Sequence, residues 1–390
     1  MEINNELLSK MLSGDSSSKV TILNWHVKNN IVALGNNHTS ELSRLIVEYQ
    51  RKGRIFKKSF ILKVPSTHPM YSLAVRFNMY EKEYPIYTEI LEEMYKIDGE
   101  HLGPKLYYAD DKYSLIMKDL AASGYKMVDR LKQLDYDQCY LVLKNLAKFH
   151  GLSVKLERSS KISPAVKKIL WLDNPETEED CAEFMRNACE QMAENLDRKL
   201  GLYDKLMQMG KEGIYDRVRQ EMHPNRFRFN VLNHGDCWLG NSLFKFDKYG
   251  NVKKVKMIDF QCSAWLTPAY DILFFTLSSM RYDVFERHFN FLMETYIETL
   301  NKTLRFLQCG SYSLEELYRD MDSLRLTVTV ILGCQLPQTL SSHENPIDYK
   351  DFIHNGKVDY PNFNKVYKNE IYLRVLHRWM SYYVMKGFFD

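Results

Sequence analysis

VLNHGDCWLGNSLFKFDKYGNVKKVKMIDFQ, residues 231–261, holds more usable chemistry than any other stretch of the chain. It contains His234, Gly235 and Asp236, then Asn241, then two strand-like runs, Ser242–Phe246 and Val252–Ile258, and finally Asp259, Phe260 and Gln261. Asp247-Lys248-Tyr249-Gly250-Asn251 joins the runs with residue types that close hairpins. Antiparallel pairing sets Asn241 at the start of one strand and Asp259 at the end of the other, both far from the turn. Two oxygen-bearing side chains eighteen positions apart are thereby expected to meet, with Asp236 on the entering loop.

Such a trio suits phosphoryl transfer. Moving a phosphoryl group from ATP asks for hard oxygen ligands to Mg²⁺ and for a carboxylate that orients the attacking hydroxyl. Asn241 and Asp259 are expected to serve the metal, and Asp236 the hydroxyl as catalytic base. The order His234-x-Asp236-x4-Asn241, followed by Asp259-Phe260, matches the kinase pattern HxD-x4-N and DFG, with Gln261 where glycine would stand. An Asp–Phe pair alone is common by chance; the whole order around a hairpin is not.

Upstream, strand-like stretches run over Val20–Val27 with a continuation through Ile31–Leu34, then Arg44–Tyr49, Ser59–Val64, Leu106–Ala109 and Ser114–Met117. One helical stretch, Pro69–Tyr95, interrupts them, and Pro85 should kink or split it. Beyond residue 120 helical periodicity dominates, over 135–152, 176–222, 282–307, 313–334 and 366–385. A five-stranded sheet with one helix followed by a larger helical part argues for an α+β protein. Residues 1–117 form the first lobe, 118–122 a connection, and 123–390 a helical lobe carrying the hairpin and the acceptor site.

The first lobe should supply a lysine on its third strand and a glutamate on the next helix. Lys63, in Phe60-Ile61-Leu62-Lys63-Val64, fits, and alternation places Ile61 on the same sheet face, to roof the adenine while Lys63 meets phosphate. Glu83 is the expected ion-pair partner, with Glu81 and Glu89 as rivals. A phosphate-covering turn falls at Leu34–Ser40, where Gly35 and Asn37 tolerate the backbone angles that aim N–H groups inward and Ser40 adds a hydroxyl.

Lys plus Arg number 53 and Asp plus Glu 50, a net charge of +3, too balanced for a nucleic-acid coat. RKGRIFKK (51–58) carries five basic residues, but it reads as a solvated hairpin connection rather than a nucleic-acid patch. Asn174-Pro175 ahead of Glu176, Glu178, Glu179 and Asp180 reads as a helix start, with Gly201 expected to cap the far end. No apolar run approaches 18 residues, and MEINNELLSK lacks the features of a secretory leader. The seven cysteines include no CxxC pair, as expected for free thiols in a reducing compartment, so a cytoplasmic protein is expected.

VLNHGDCWLGN, MIDFQ and TPAYDILFF (267–275) resemble the ecdysteroid-kinase-like family, itself related to choline kinases and aminoglycoside phosphotransferases. LGNNHTS, the Glu83…Tyr87 spacing and Leu146-Ala147-Lys148-Phe149-His150 add to the resemblance. It implies a bilobal protein-kinase-like fold with ATP in the cleft, backbone groups at Met117, Lys118 and Leu120 meeting adenine, and transfer of the γ-phosphate to a small-molecule hydroxyl. The family often has Glu-Asp-Leu at the connection; here it is Lys118-Asp119-Leu120. Asp271 is expected to anchor the catalytic loop, and His234 and Trp238 to brace and pack it.

A protein kinase is disfavoured, because no glycine-rich loop or APE-type segment is present and the path from Gln261 to Asp271 is short. Hydrolases lack their GxSxG elbow here, and no Walker loop exists. Methionines and aromatics in the helical insert 155–225 and the carboxy-terminal helices favour a small apolar alcohol as acceptor, such as an ecdysteroid or a xenobiotic. The expected partners are ATP and that hydroxylated molecule, with no nucleic acid, membrane or obligate protein partner. The alternative reading is a nucleotide- or steroid-binding module of the same fold with weak turnover.

Overall fold

Alternating apolar residues build the first lobe. β1 (Val20–Lys28), β2 (Ser40–Arg51), β3 (Arg54–Pro65), β4 (Leu106–Ala109) and β5 (Leu115–Lys118) form one antiparallel sheet in the order β1-β2-β3-β5-β4. The structure, a computed structural model, describes residues 1–13, 19–29, 40–65, 72–341, 352–354 and 357–389. The expected continuation Ile31–Leu34 lies outside these. β2 and β3 meet at Lys52-Gly53, with φ of 49° and 74°, the left-handed pair a two-residue hairpin turn requires. The basic stretch 51–58 is thus a hairpin connection.

Period two divides β3 between two cores. Phe60 and Leu62 join Leu45, Val47 and Ile116 beneath α1 (Asn5–Ser13), which contributes Leu8 and Leu12. Ile61 packs instead against the main core, which includes Leu115 and Met117 on the opposite face. Lys63 shares that inner side.

The predicted single helix over Pro69–Tyr95 is broken twice. α2 (Ser72–Arg76) stops before Asn78, whose φ is 54°, and α3 (Met79–Pro85) gives way to a wide π-turn over Ile86–Ile90 before α4 (Leu91–Asp98). Pro85 has no N–H to donate, and the ladder resumes with Leu91 N–H reaching Ile86 O.

The larger lobe begins with β6 (Tyr125–Lys126) and α5 (Tyr136–Arg158), the latter started by a capping box of Asp135 and Gln138. After α6 (Pro164–Lys167), the acidic stretch does start α7 (Glu178–Asn195), but that helix ends earlier than expected. Gly201 closes a separate short turn, Arg198–Leu200, because the chain leaves helical geometry at Leu196. α8 (Tyr203–Lys211) and α9 (Ile214–Glu221) complete the insert. β7 (Val231–Asn233) pairs with β10 (Ala264–Leu266), enclosing the hairpin of β8 (Ser242–Phe246) and β9 (Val252–Met257).

α10 (Ala269–Ser279) is buried on every side, as its apolar sequence requires, and α11 (Tyr282–Phe306) packs along α5. The predicted helix 313–334 divides into Leu314–Asp322 and Arg325–Val330, followed by a π-turn. The last helix, Glu370–Met385, starts four residues later than expected, behind an Asn369 cap. The result is a bilobal α+β, kinase-like fold. Among the described residues all seven cysteines are free, and no helix is long and apolar enough to cross a membrane.

Candidate active site

Hairpin register puts the chemistry together. Ser242 pairs with Met257, and Ile258 N–H donates to Asn241 O at 3.0 Å, so Asn241 and Asp259 flank the open end of the hairpin. Asn241 Nδ2 donates to Asp236 Oδ2 at 2.8 Å and to Asp236 O at 3.0 Å. The amide nitrogen is therefore committed to Asp236, and Oδ1 is the atom left for a cation.

Lys63 spans the two lobes. Its Nζ lies 2.6 Å from Glu83 Oε1 and 2.7 Å from Asp259 Oδ1, the second contact joining residues 196 positions apart. Glu81 and Glu89 are exposed, whereas Glu83 is 3% exposed. Gln261, in place of glycine, donates from Nε2 to Asp259 Oδ2 at 3.4 Å.

One ammonium thus faces two acids. Burial works against the Lys63 charge, but Asp259 and Glu83 outweigh it and hold the pKa above its ordinary value. Burial opposes the Asp259 charge as well, yet Lys63 prevails and its carboxyl is lowered. Glu83 is raised, by burial first and by the Asp259 charge, although Lys63 opposes both. Asp236 is pushed up to about 7 by its buried setting and the nearby charge of Asp259, against the hydrogen bonds of Asn241 and Trp238. The residue remains partly exposed. A carboxyl poised near neutrality is a stronger base toward a hydroxyl proton than an ordinary carboxylate, and it is available as the base once ionised.

The loop bearing Asp236 is held from behind. Asp271, fully buried, accepts His234 N–H at 2.6 Å on Oδ2 and Gly235 N–H at 2.9 Å on Oδ1. Gly235 has φ +81°, and a Cβ there would sit 1.9 Å from Cys262 O, so no other residue fits. His234 Nε2 meets Ile258 O at 2.9 Å; a carbonyl only accepts, so Nε2 carries the proton, and burial keeps the ring neutral. Trp238, expected to pack and brace the loop, lies against Gly240 and hydrogen-bonds Asp236.

Two contributors escaped the sequence reading. His150 places Nε2 3.1 Å from Asp271 Oδ2 and Nδ1 2.7 Å from Tyr296 OH, all three side chains fully buried. Tyr87 accepts Asp259 N–H on its hydroxyl at 3.2 Å, and its ring meets Phe260 edge-on. Both residues stand within motifs quoted for the family resemblance, which was the available signal.

Of the residues expected to meet adenine, Ile61 and Met117 are directly opposite in the β3–β5 register, and Leu120 is buried. The Lys118 N–H donates to Lys105 O at 2.8 Å and so is committed within the lobe. Asp119, inside the connection, accepts Ser59 Oγ at 2.5 Å and Arg44 Nε at 2.8 Å. Ser40 is buried opposite Pro65; Gly35 and Asn37 lie outside the described residues.

The donors fit Mg²⁺: one carboxylate and one amide oxygen are hard ligands, and this ion completes its shell with water and phosphate oxygens rather than an all-protein cage. No cluster of three or more His, Cys, Asp or Glu suited to a metal occurs among the described residues.

No curated protein matches the chain. Among solved structures, a microcompartment-associated aminopropanol kinase is similar over 99% of both chains, at 11% identity and a TM-score of 0.47. The GDP and kanamycin complex of APH(2")-IIia is similar over 79% of this chain and 85% of that one, at 12% identity and a TM-score of 0.39. Residues 34–309, which carry the Lys63–Asp259 bridge and the Asp236 loop, match the model of the ecdysteroid kinase-like family, and the chain belongs to that family.

Proposed function

We propose that this protein, a small-molecule phosphotransferase by family, transfers the γ-phosphate of ATP to a hydroxyl of a small apolar alcohol, with ecdysteroids and xenobiotics as the classes to test. The observation that carries the reading is the Lys63 bridge to Glu83 and Asp259, directly beside the Asp236–Asn241 pair.

Lys63 presents its ammonium to the nucleotide phosphates from the inner sheet face, and Glu83 keeps it there. Asp236 accepts the hydrogen bond of the acceptor hydroxyl, orients it for in-line attack and takes its proton as the new P–O bond forms and the bond from the γ-phosphorus to the β–γ bridging oxygen breaks, releasing ADP. Asn241 holds the Asp236 carboxylate by its Nδ2. Mg²⁺, bound through Asp259 and Asn241 Oδ1, would neutralise charge on the phosphates. We place the cleft between residues 1–117 and 123–390, with 118–122 connecting them, and adenine between Ile61, Met117 and Leu120.

The acceptor preference draws on Trp171, a partly exposed insert residue that hydrogen-bonds Tyr270, whose hydroxyl in turn meets Gly235 O at 3.4 Å. An aromatic face beside the catalytic loop favours an apolar ring system. Most other aromatics and methionines of this region, including Met185, Met192 and Trp379, are core packing. A screen of hydroxylated small molecules with ATP, read as a product heavier by one phosphoryl group, tests the proposal. Failure of every alcohol while ATP and Mg²⁺ still bind would replace it with a binding role.

A further inference from the structure

Asp259 is a non-glycine residue with φ +67°, a left-handed conformation that side chains other than glycine adopt rarely. Such a residue persists only where its surroundings over-determine it. β9 has ended at Met257, so the Asp259 N–H has no ladder partner, and a backbone donor this enclosed needs one. The partner is the Tyr87 hydroxyl at 3.2 Å. That hydroxyl arrives from the other lobe, 172 positions away.

We propose that Tyr87 is a positioning residue for the Asp259 carboxylate: by accepting the Asp259 N–H, its hydroxyl holds that residue in the left-handed turn that aims Oδ1 at Lys63 and the cleft. Local sequence explains how Tyr87 gets there. Pro85 forces the π-turn over Ile86–Ile90, and within it Tyr87 lies four residues after Glu83, so one helical face delivers both groups to Lys63 and Asp259. The ring, 97% buried, stands edge-on to Phe260 at 5.6 Å between centroids, which anchors the hydroxyl. Phe260 in turn meets the ring of His234 at 4.7 Å, linking the turn to the Asp236 loop. The same helix therefore sets both the lysine, through Glu83, and the carboxylate, through Tyr87.

The proposal rests on the reading of Asp259 as a metal ligand, and two variants separate the two ideas. The full chain is melted at fixed ATP over a Mg²⁺ titration, as wild type, Tyr87→Phe and Asp259→Asn. Tyr87→Phe keeps the ring and removes only the hydroxyl. It should raise the Mg²⁺ concentration at half-maximal stabilisation about threefold to tenfold, the effect of one net hydrogen bond. Full stabilisation should return at saturating Mg²⁺. Asp259→Asn should abolish most of the Mg²⁺-dependent rise. An unmoved midpoint in Tyr87→Phe, with Asp259→Asn impaired, overturns the positioning role and leaves the metal assignment standing. A lower melting temperature without ligand but the same midpoint also overturns it, since lost packing alone does that. Wild-type behaviour in both variants overturns the metal role of Asp259 and the inference with it.

Discussion

Replacing Lys63 by Met removes the ammonium that pairs with both Glu83 and Asp259 and tests the centre of the site. The Lys63 side chain is 9% exposed and those of Glu83 and Asp259 are 4% and 22% exposed, so solvent screens the cluster little. Deleting one partner of a buried ion pair destabilises by about 3–5 kcal/mol, because the remaining charge has no compensation. An unfolding entropy of about 2.1 cal/mol/K per residue gives roughly 0.8 kcal/mol/K for a chain of 390 residues, so the melting temperature should fall by about 4–6 °C at pH 8. The loss should shrink in acid, and linkage gives the reason. In wild type, the lowered Asp259 carboxyl adds stability above the ordinary carboxyl range and loses it as pH falls through the folded value. Without Lys63 the neighbouring carboxyls are raised, so the folded variant holds more protons than its unfolded chain and loses stability as pH rises from about 4. Thermal melting of both proteins from pH 5 to pH 8 reads this directly. A penalty that is absent, or identical across that range, would refute the account of Lys63 as the neutralising charge.

Other outcomes follow from the same geometry. Asp236→Asn should keep the Mg²⁺·ATP-dependent rise in melting temperature yet lower turnover at least about a hundredfold; undiminished turnover reassigns the base. With Asp236 raised to about 7, wild-type kcat/KM should climb with pH to a plateau above that value, and a profile flat down to pH 5 would contradict it. Gly235→Ala sets a Cβ 1.9 Å from Cys262 O on a left-handed backbone, so its destabilisation should exceed the roughly 1–2 kcal/mol of the backbone angle alone; wild-type melting would show the loop yields freely. Lys82 is pushed down to about 8 by burial, although Cys262 and Asp173 oppose the shift. Between about pH 8 and its ordinary value the unfolded chain binds more protons, so wild type should gain stability relative to Lys82→Met across that window, and parallel melting curves would disprove the assignment.

How much was readable varies from residue to residue. The hairpin of β8 and β9 was, because alternation and a turn of Asp, Gly and Asn are local patterns, and register then carried Asn241 to Asp259. The divided cores of β3 were readable for the same reason, since period two assigns Phe60 and Leu62 to one side and Ile61 and Lys63 to the other. Helix ends were not: α7 stops at Asn195 and the 313–334 segment divides, as neighbouring packing decides where an amphipathic run turns.

By itself, then, the amino-acid order determined an α+β chain, the hairpin, the Asp236-x4-Asn241 spacing and the break at Pro85, all consequences of short-range sterics and periodicity. The tertiary structure alone decided that Glu83 rather than Glu81 or Glu89 meets Lys63, that Tyr87 takes the Asp259 N–H, and that His150 backs Asp271. Those meetings join residues 20 to 172 positions apart, and depend on how two lobes bury their faces against each other. Burial also sets the proton affinities of Lys63, Asp236 and Asp259, since desolvation and neighbouring charge exist only once the chain has closed around them.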